Sequence, residues 1–200
     1  MLIGVTGGVG CGKTMVARML SETLAAPYCS SDEICRELMA EGQPGYTAFV
    51  ERFGTRFLDD GGCIDRSRLR SEMLLDGDIR EGLESILHPL VRHIILEAGA
   101  GAAAAVPVVA EVPLLFESGW AGDFDCIVCV VASRETAIAR ISARDSVSPE
   151  EAARIIDVQM DTVEKAARSD LVVSNDGDRA QTGRRVREIA GLIRAEMEKP

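Results

Sequence analysis

Leu2-Ile3-Gly4-Val5-Thr6 runs directly into Gly7-Gly8-Val9-Gly10-Cys11-Gly12-Lys13-Thr14, and Met15 to Leu24 follows with apolar residues at helical spacing. A short apolar run, a glycine-rich turn and an amphipathic segment stand in the order that a phosphate-holding loop requires. The octet matches GxxxxGK[ST] at every defined position, and the chemistry explains why. Glycines let the backbone take positive φ and bring successive N–H groups onto phosphate oxygens, while the helix N-terminus adds its positive end. Lys13 supplies a point charge for β and γ phosphates, and the Thr14 hydroxyl can ligate Mg²⁺. A glycine-rich strand-to-helix turn that merely happens to precede Lys-Thr is the bland alternative, and the complete motif in this context weighs against it. Gly8, Val9, Gly10, Cys11, Gly12, Lys13, Thr14 and Met15 are the candidate nucleotide contacts. Cys11 is either a thiol activated by the helix N-terminus or simply a small loop residue.

Outward from the loop, further β-branched runs lie at Pro27 to Ser30, Val106 to Val112, Cys126 to Ala132 and Leu171 to Ser174. Helical periods cover Thr14 to Leu24, Arg134 to Arg144 and Arg179 to Met197. Strands that alternate with helices predict an α/β fold with a mainly parallel sheet covered on both faces. The alternation fails between Ser31 and Ala105, where Tyr46 to Phe57, Asp65 to Leu75 and Ile79 to Glu97 carry helical patterns only. The expectation is a single domain, 1–200, whose nucleotide-binding core is 1–31 with 106–200. A helical subdomain over about 32–105 is inserted into it. The alanine-rich stretch Ala98 to Ala105 reads as a frayed helix end or connector.

The 200 residues carry 22 Lys and Arg against 32 Asp and Glu, a net charge of −10. Such a surface repels nucleic acid and anionic membranes at long range, so neither is expected as a partner. The charge is unevenly spread: residues 1–20 hold Lys13 and Arg18 and no acid. No apolar stretch reaches the roughly 20 residues of a spanning helix, and the N-terminus lacks signal-peptide character, so a cytoplasmic location is expected. In that compartment Cys11, Cys29, Cys35, Cys63, Cys126 and Cys129 are reduced thiols. Cys126 and Cys129 sit in a buried-strand run without a second CxxC, which favours structural thiols over a metal site.

Phosphoryl transfer to a hydroxyl needs a carboxylate near the acceptor and cations over the phosphates. Asp32 follows the second strand, and in a parallel sheet it emerges at the same carboxyl edge as the loop. It can accept the acceptor proton, help hold Mg²⁺, or cap the helix over Asp32 to Met39. Arg140 and Arg144 are spaced i, i+4 within Glu135 to Ser146, beside a Ser148-Pro149 break. They suit a lid that closes on phosphates, or equally a solvated helix face.

The ordered set GVTGGVGCGKT, SSDEICREL, GQPGY, FG, HPLVR, VPLLFESG, ARISARD and AARSDLVVSNDG resembles the dephospho-CoA kinase family over nearly the whole chain. His88-Pro89-Leu90 followed by Val112 to Glu117 is the most specific part. The resemblance implies a P-loop nucleoside/nucleotide-kinase-like fold with a helical substrate-binding insertion and a small lid over about 138–160. It also implies ATP-dependent phosphorylation of the ribose 3′-hydroxyl of dephospho-CoA, with Mg²⁺. By motif, Lys13, Asp32 and Arg140 are the catalytic residues, Asp32 being the base. Arg144 and Asn175 join the loop in binding ATP, while Asp32, His88, Arg92 and Leu114 belong to the acceptor site. Thr14, with Asp32, would hold the metal. His88 before Pro89 can equally cap or kink a helix, and Asn175 in Ser174-Asn175-Asp176-Gly177 can be a turn residue. The family usually has Asp-x-Asp after its second strand, whereas Ser30-Ser31-Asp32 keeps only the second carboxylate. Cys11 stands where Ser is usual and Met15 where Thr is common.

A kinase for another nucleotide or small alcohol would share the loop and lid. A nucleotide-binding switch would usually read guanine, and the chain lacks an obvious Asn-Lys-x-Asp stretch. A monomer or small homo-oligomer is expected.

Overall fold

The computed structural model describes residues 1–101 and 106–199. Five strands, β1 (Leu2–Gly7), β2 (Tyr28–Ser30), β3 (Val108–Glu111), β4 (Cys126–Val131) and β5 (Leu171–Ser174), pair in parallel in the order β2-β3-β1-β4-β5. Each apolar run named above forms one of them. Parallel neighbours require crossovers, and every segment between consecutive strands carries α-helix except that between β3 and β4, which holds only a short 3-10 helix at Ala121–Asp123. These are α1 (Lys13–Leu24), α2 (Ser31–Leu38), α3 (Pro44–Phe53), α4 (Arg66–Leu75), α5 (Gly77–Gly101), α6 (Arg134–Asp145), α7 (Pro149–Asp157), α8 (Thr162–Ala167) and α9 (Arg179–Met197). The architecture is the expected α/β sheet flanked by helices.

The chain divides into two compact units, Met1–Ser30 with Ala98–Pro200, and Ser31–Glu97. In the sheet unit β1 is central, between β3 and β4, and all six of its residues are buried. Ile3, Val5, Val16, Leu20, Val128 and Ile189 pack into one apolar cluster. Truncating the fully buried Ile3 to Ala would cost about 2–5 kcal/mol. Helix α1 buries Val16, Ala17, Leu20 and Leu24, one stripe at helical spacing. It stops at Ala25, whose left-handed backbone (φ 53) lets the N–H groups of Ala25 and Ala26 return to the Glu22 and Ser21 carbonyls. Helix α6 ends at Ser146, also left-handed. The Ser148–Glu151 capping box with Pro149 at the first helical position starts α7.

The helical unit has its own core, in which Phe49 and Phe57 are fully buried beside Leu69 and Ile79. Phe53 completes an aromatic trio, with centroids 4.9 Å from Phe49 and 6.0 Å from Phe57. The sequence predicts a helix through Phe57, but α3 ends at Phe53 because Gly54 turns the chain at φ 64. The Asp59 to Cys63 loop is closed by an antiparallel bridge between Leu58 and Ile64. Asp59 Oδ1 accepts from the Gly61 and Cys63 N–H groups, both at 2.9 Å. Ala98 to Gly101 continue α5, and the rest of the alanine-rich stretch, 102–105, lies outside the described residues. Among the described residues no helix is long and apolar enough to cross a membrane. Cys126 and Cys129 lie buried in β4 as free thiols, and burial pushes both up to about 11.

Candidate active site

The carboxyl end of β1 leads straight into the glycine-rich loop, and side chains from four places in the sheet unit hold that loop. Lys13 Nζ donates to the Gly8 carbonyl at 3.0 Å. Arg140 on α6 donates to the Gly10 carbonyl at 3.4 Å and to the Asn175 carbonyl at 2.8 Å. Asn175, just past β5, donates Nδ2 to the Cys11 carbonyl at 2.8 Å. Between α7 and α8, Gln159 Oε1 accepts from the Val9 N–H at 3.1 Å. Three loop carbonyls are thus taken up by protein donors. The first helical bond of α1 runs from the Val16 N–H to the Gly12 carbonyl, and the positive end of the helix that starts there suits an anion. Gly12 is obligatory twice over: its φ is 84, and a Cβ there would overlap Asn175 Nδ2.

At the start of α1 the Thr14 hydroxyl donates to Glu111 Oε1 at 2.7 Å, and the Tyr28 hydroxyl donates to Oε2 at 2.6 Å. Glu111 closes β3 and is buried, and its register partners are Val5 on β1 and Ser30 on β2. A carboxylate is therefore present one strand over from Ser30, where the usual first Asp is missing. Arg18 stacks over the Tyr28 ring at 4.8 Å. The buried carboxylate beside a loop hydroxyl is a set of hard oxygen donors, the kind Mg²⁺ takes.

Arg140 and Arg144 share a face of α6 but differ in use. Arg140 is half-buried against the loop, whereas Arg144 is exposed and forks onto Asp145 at 2.7 and 2.8 Å. Arg134 at the start of α6 forks onto Asp157 at the end of α7 (2.8 and 3.1 Å), which holds that carboxyl below its usual range. A cavity of about 330 Å³ adjoins the loop here, lined by Gly8, Val9, Arg134, Asp157, Gln159 and Thr162 among others. Leu114 lies in the segment after β3 with its side chain partly exposed. Nearby, Lys165 is fully buried, 2.8 Å from Glu117 and 2.9 Å from the Pro113 carbonyl that it shares with the Thr6 hydroxyl.

Asp32, His88 and Arg92 belong to the helical unit. Asp32 lies in the first turn of α2, is exposed, and lines a cavity of about 360 Å³ with Arg36, Arg66, Ile64, Leu69 and Leu83. His88 and Arg92 are one turn apart on α5, on either side of the buried Val91.

The family model described as CoaE, dephospho-CoA kinase, matches residues 1–181. The chain belongs to the dephospho-CoA kinase family. A dephospho-CoA kinase from Desulfotalea psychrophila is 37% identical over 178 residues, covering 88% of this chain and 89% of that protein. Among solved structures, TT1252 from Thermus thermophilus superposes with a TM-score of 0.79 at 28% identity, covering 100% of this chain and 98% of that one. The dephospho-CoA kinase from Campylobacter jejuni shares the fold, with a TM-score of 0.72 at 24% identity over 98% of each chain.

Within this dephospho-CoA kinase framework, sequence reasoning missed Glu111, Gln159 and Lys165. Glu111 carried a signal, an acid closing the apolar run Val108-Val109-Ala110. Gln159 and Lys165 carried none, because only the fold brings them to the loop and to Pro113.

Proposed function

We propose that the chain transfers the γ-phosphoryl group of ATP to the ribose 3′-hydroxyl of dephospho-CoA, giving CoA and ADP. The observation that carries this reading is an intact, firmly held Gly7–Thr14 loop in a chain of this family. Family membership does not favour a kinase for another small molecule or a nucleotide-binding switch.

In this reading the loop N–H groups and Lys13 bind the β and γ phosphates. Their charge is placed before the reaction begins, so stabilising the transferring group costs no reorganisation. Asp32 takes the proton of the 3′-hydroxyl as its oxygen attacks the γ-phosphorus. The bond from that phosphorus to the β–γ bridging oxygen breaks, and ADP leaves with the electron pair. The cavity beside Asp32, lined by the cations Arg36 and Arg66 and by the apolar Ile64, Leu69 and Leu83, supports acceptor binding in the helical unit. His88, Arg92 and Leu114 are assigned to the same acceptor. Thr14 and Glu111 would hold Mg²⁺, which when bound neutralises phosphate charge. Residues of about 138–160, with Arg140 and Arg144, form the lid, and Arg140 meanwhile braces the loop. Asn175 acts by holding the Cys11 carbonyl, which supports an indirect part in ATP binding. Six free thiols fit a reducing cytoplasm.

Incubation with Mg²⁺, ATP and dephospho-CoA should yield a product heavier by one phosphoryl group, with ADP in equal amount. ADP release without that product would refute the acceptor assignment. Replacing Asp32→Asn should lower kcat about 10²- to 10⁴-fold while the KM for ATP stays within about threefold. An unchanged kcat would remove Asp32 as the base.

A further inference from the structure

We infer that Gln159 is a positioning residue for phosphoryl transfer: it orients the Gly8–Val9 peptide, and through that peptide it fixes where Lys13 stands. The inference rests on the reading of the loop as the ATP phosphate site.

The Gly8 carbonyl and the Val9 N–H belong to one planar trans peptide, so they point in opposite directions. Lys13 Nζ meets that peptide from the carbonyl side at 3.0 Å, and Gln159 Oε1 meets it from the N–H side at 3.1 Å. The two side chains grip a single peptide group from opposite edges. Rotating that peptide would move the carbonyl away from the ammonium. A glycine at position 8 offers little resistance to rotation by itself. Only the oxygen of a carboxamide can accept from an N–H, so the orientation of the Gln159 amide is set by Val9.

The segment that carries Gln159 is itself anchored. The Met160 N–H donates to Glu117 Oε1 at 3.3 Å, and the same oxygen is 2.8 Å from the fully buried Lys165 Nζ. Lys165 also donates to the Pro113 carbonyl at 2.9 Å. Two residues beyond Met160, the Thr162 hydroxyl lies so close to Gly8 that a Cβ there would overlap it. The segment after β3, the α7–α8 connection and the loop are thereby tied in one chain of contacts. Gln159 also lines the 330 Å³ cavity beside Gly8 and Val9, directly against the loop that this reading gives to the phosphates.

Gln159→Met keeps the length and removes the acceptor, while Gln159→Glu keeps both the length and the acceptor. In the unmodified chain the Val9 amide should exchange with solvent slowly. Gln159→Met should speed that exchange at least tenfold and raise the Kd for Mg²⁺-ATP about three- to tenfold, with the KM for dephospho-CoA within twofold. Gln159→Glu should restore slow Val9 exchange yet bind ATP more weakly, because it sets a carboxylate beside the phosphates. In a Lys13→Met background, Gln159→Met should change the ATP Kd by less than twofold, since its effect passes through Lys13. An ATP Kd unaltered by Gln159→Met, or an equal fold loss in the Lys13→Met background, would overturn the role. If the unmodified chain fails to bind ATP, the nucleotide reading itself falls, and the Val9 exchange rates separate that outcome from a failure of the Gln159 contact.

Discussion

The side-chain amide of Asn175 donates to the carbonyl of Cys11 at 2.8 Å, joining positions 164 residues apart. Asn175 is almost fully buried, and its Oδ1 accepts from the Thr182 hydroxyl at 2.9 Å, so both ends of the amide are used. This bond fixes the loop just before Lys13 and occupies the space that a side chain on Gly12 would need.

Removing it should therefore harm folding and nucleotide binding together. Asn175→Leu leaves the Cys11 carbonyl without this partner, costing about 1–3 kcal/mol, while the Thr182 hydroxyl falls back on the Asp178 carbonyl at 3.3 Å. Gly12→Ala adds a strained left-handed residue at about 1–3 kcal/mol, against an amide that cannot retreat. Urea unfolding and ATP titration should show both losses in each variant. Native-like ATP affinity in Gly12→Ala would contradict the close approach.

The Thr14–Glu111–Tyr28 chain predicts a graded response to metal. Glu111→Gln removes the charge but keeps the shape, so half-saturation by Mg²⁺ in ATP binding should shift upward about tenfold or more. Tyr28→Phe removes one hydrogen bond from the carboxylate and should shift it less. Calorimetric titration of the nucleotide-loaded protein measures this without turnover. Identical Mg²⁺ dependence in Glu111→Gln would exclude the carboxylate from the metal site.

The Lys165–Glu117 pair should respond asymmetrically. Lys165 is wholly buried, whereas the Glu117 side chain retains a quarter of its exposure. Glu117→Leu strands a buried ammonium with the Pro113 carbonyl, at about 3–5 kcal/mol. Lys165→Met leaves a carboxylate that water can still reach, and should cost less. The double variant should be more stable than Glu117→Leu alone. Denaturant unfolding of the three variants checks the ranking, and equal costs for the two single changes would count against it.

Alkaline pH should weaken the fold through its buried and half-buried thiols. Burial pushes Cys29, Cys35, Cys126 and Cys129 up to about 11 from an ordinary value of 9.0. Between about pH 9 and pH 11 the unfolded chain loses these protons while the folded chain keeps them. Stability is therefore unaffected by these thiols below pH 9 and falls as pH rises through that window. Urea midpoints at pH 7.5, 9 and 10.5 should drop chiefly between the last two, and a flat profile would refute it.

Much of the sheet unit was legible from residue pattern. Continuous apolar runs mark strands buried on both faces, and the boundaries of β5 and α9 fall where the runs begin and end. In the helical insertion the apolar spacing marked the helices, but Gly54 ended α3 four residues early. A positive φ is a backbone choice that helical spacing does not encode. Residue pattern left Arg140 between a lid and a solvated helix face, and only the family resemblance marked Asn175 as a nucleotide contact; the fold gives both a bracing task on loop carbonyls. Local pattern cannot assign such bonds, because their partners are distant in the chain.

By itself the sequence determined the strand–loop–helix unit, the α/β class and the resemblance to a kinase family, since each rests on short runs of neighbouring residues and on the order of those runs along the chain. Tertiary structure alone decided which groups hold the loop. Parallel crossovers carry Glu111, Arg140, Gln159 and Asn175 to the carboxyl edge of the sheet, and hydrogen bonds of about 3 Å select among polar residues that look alike in sequence.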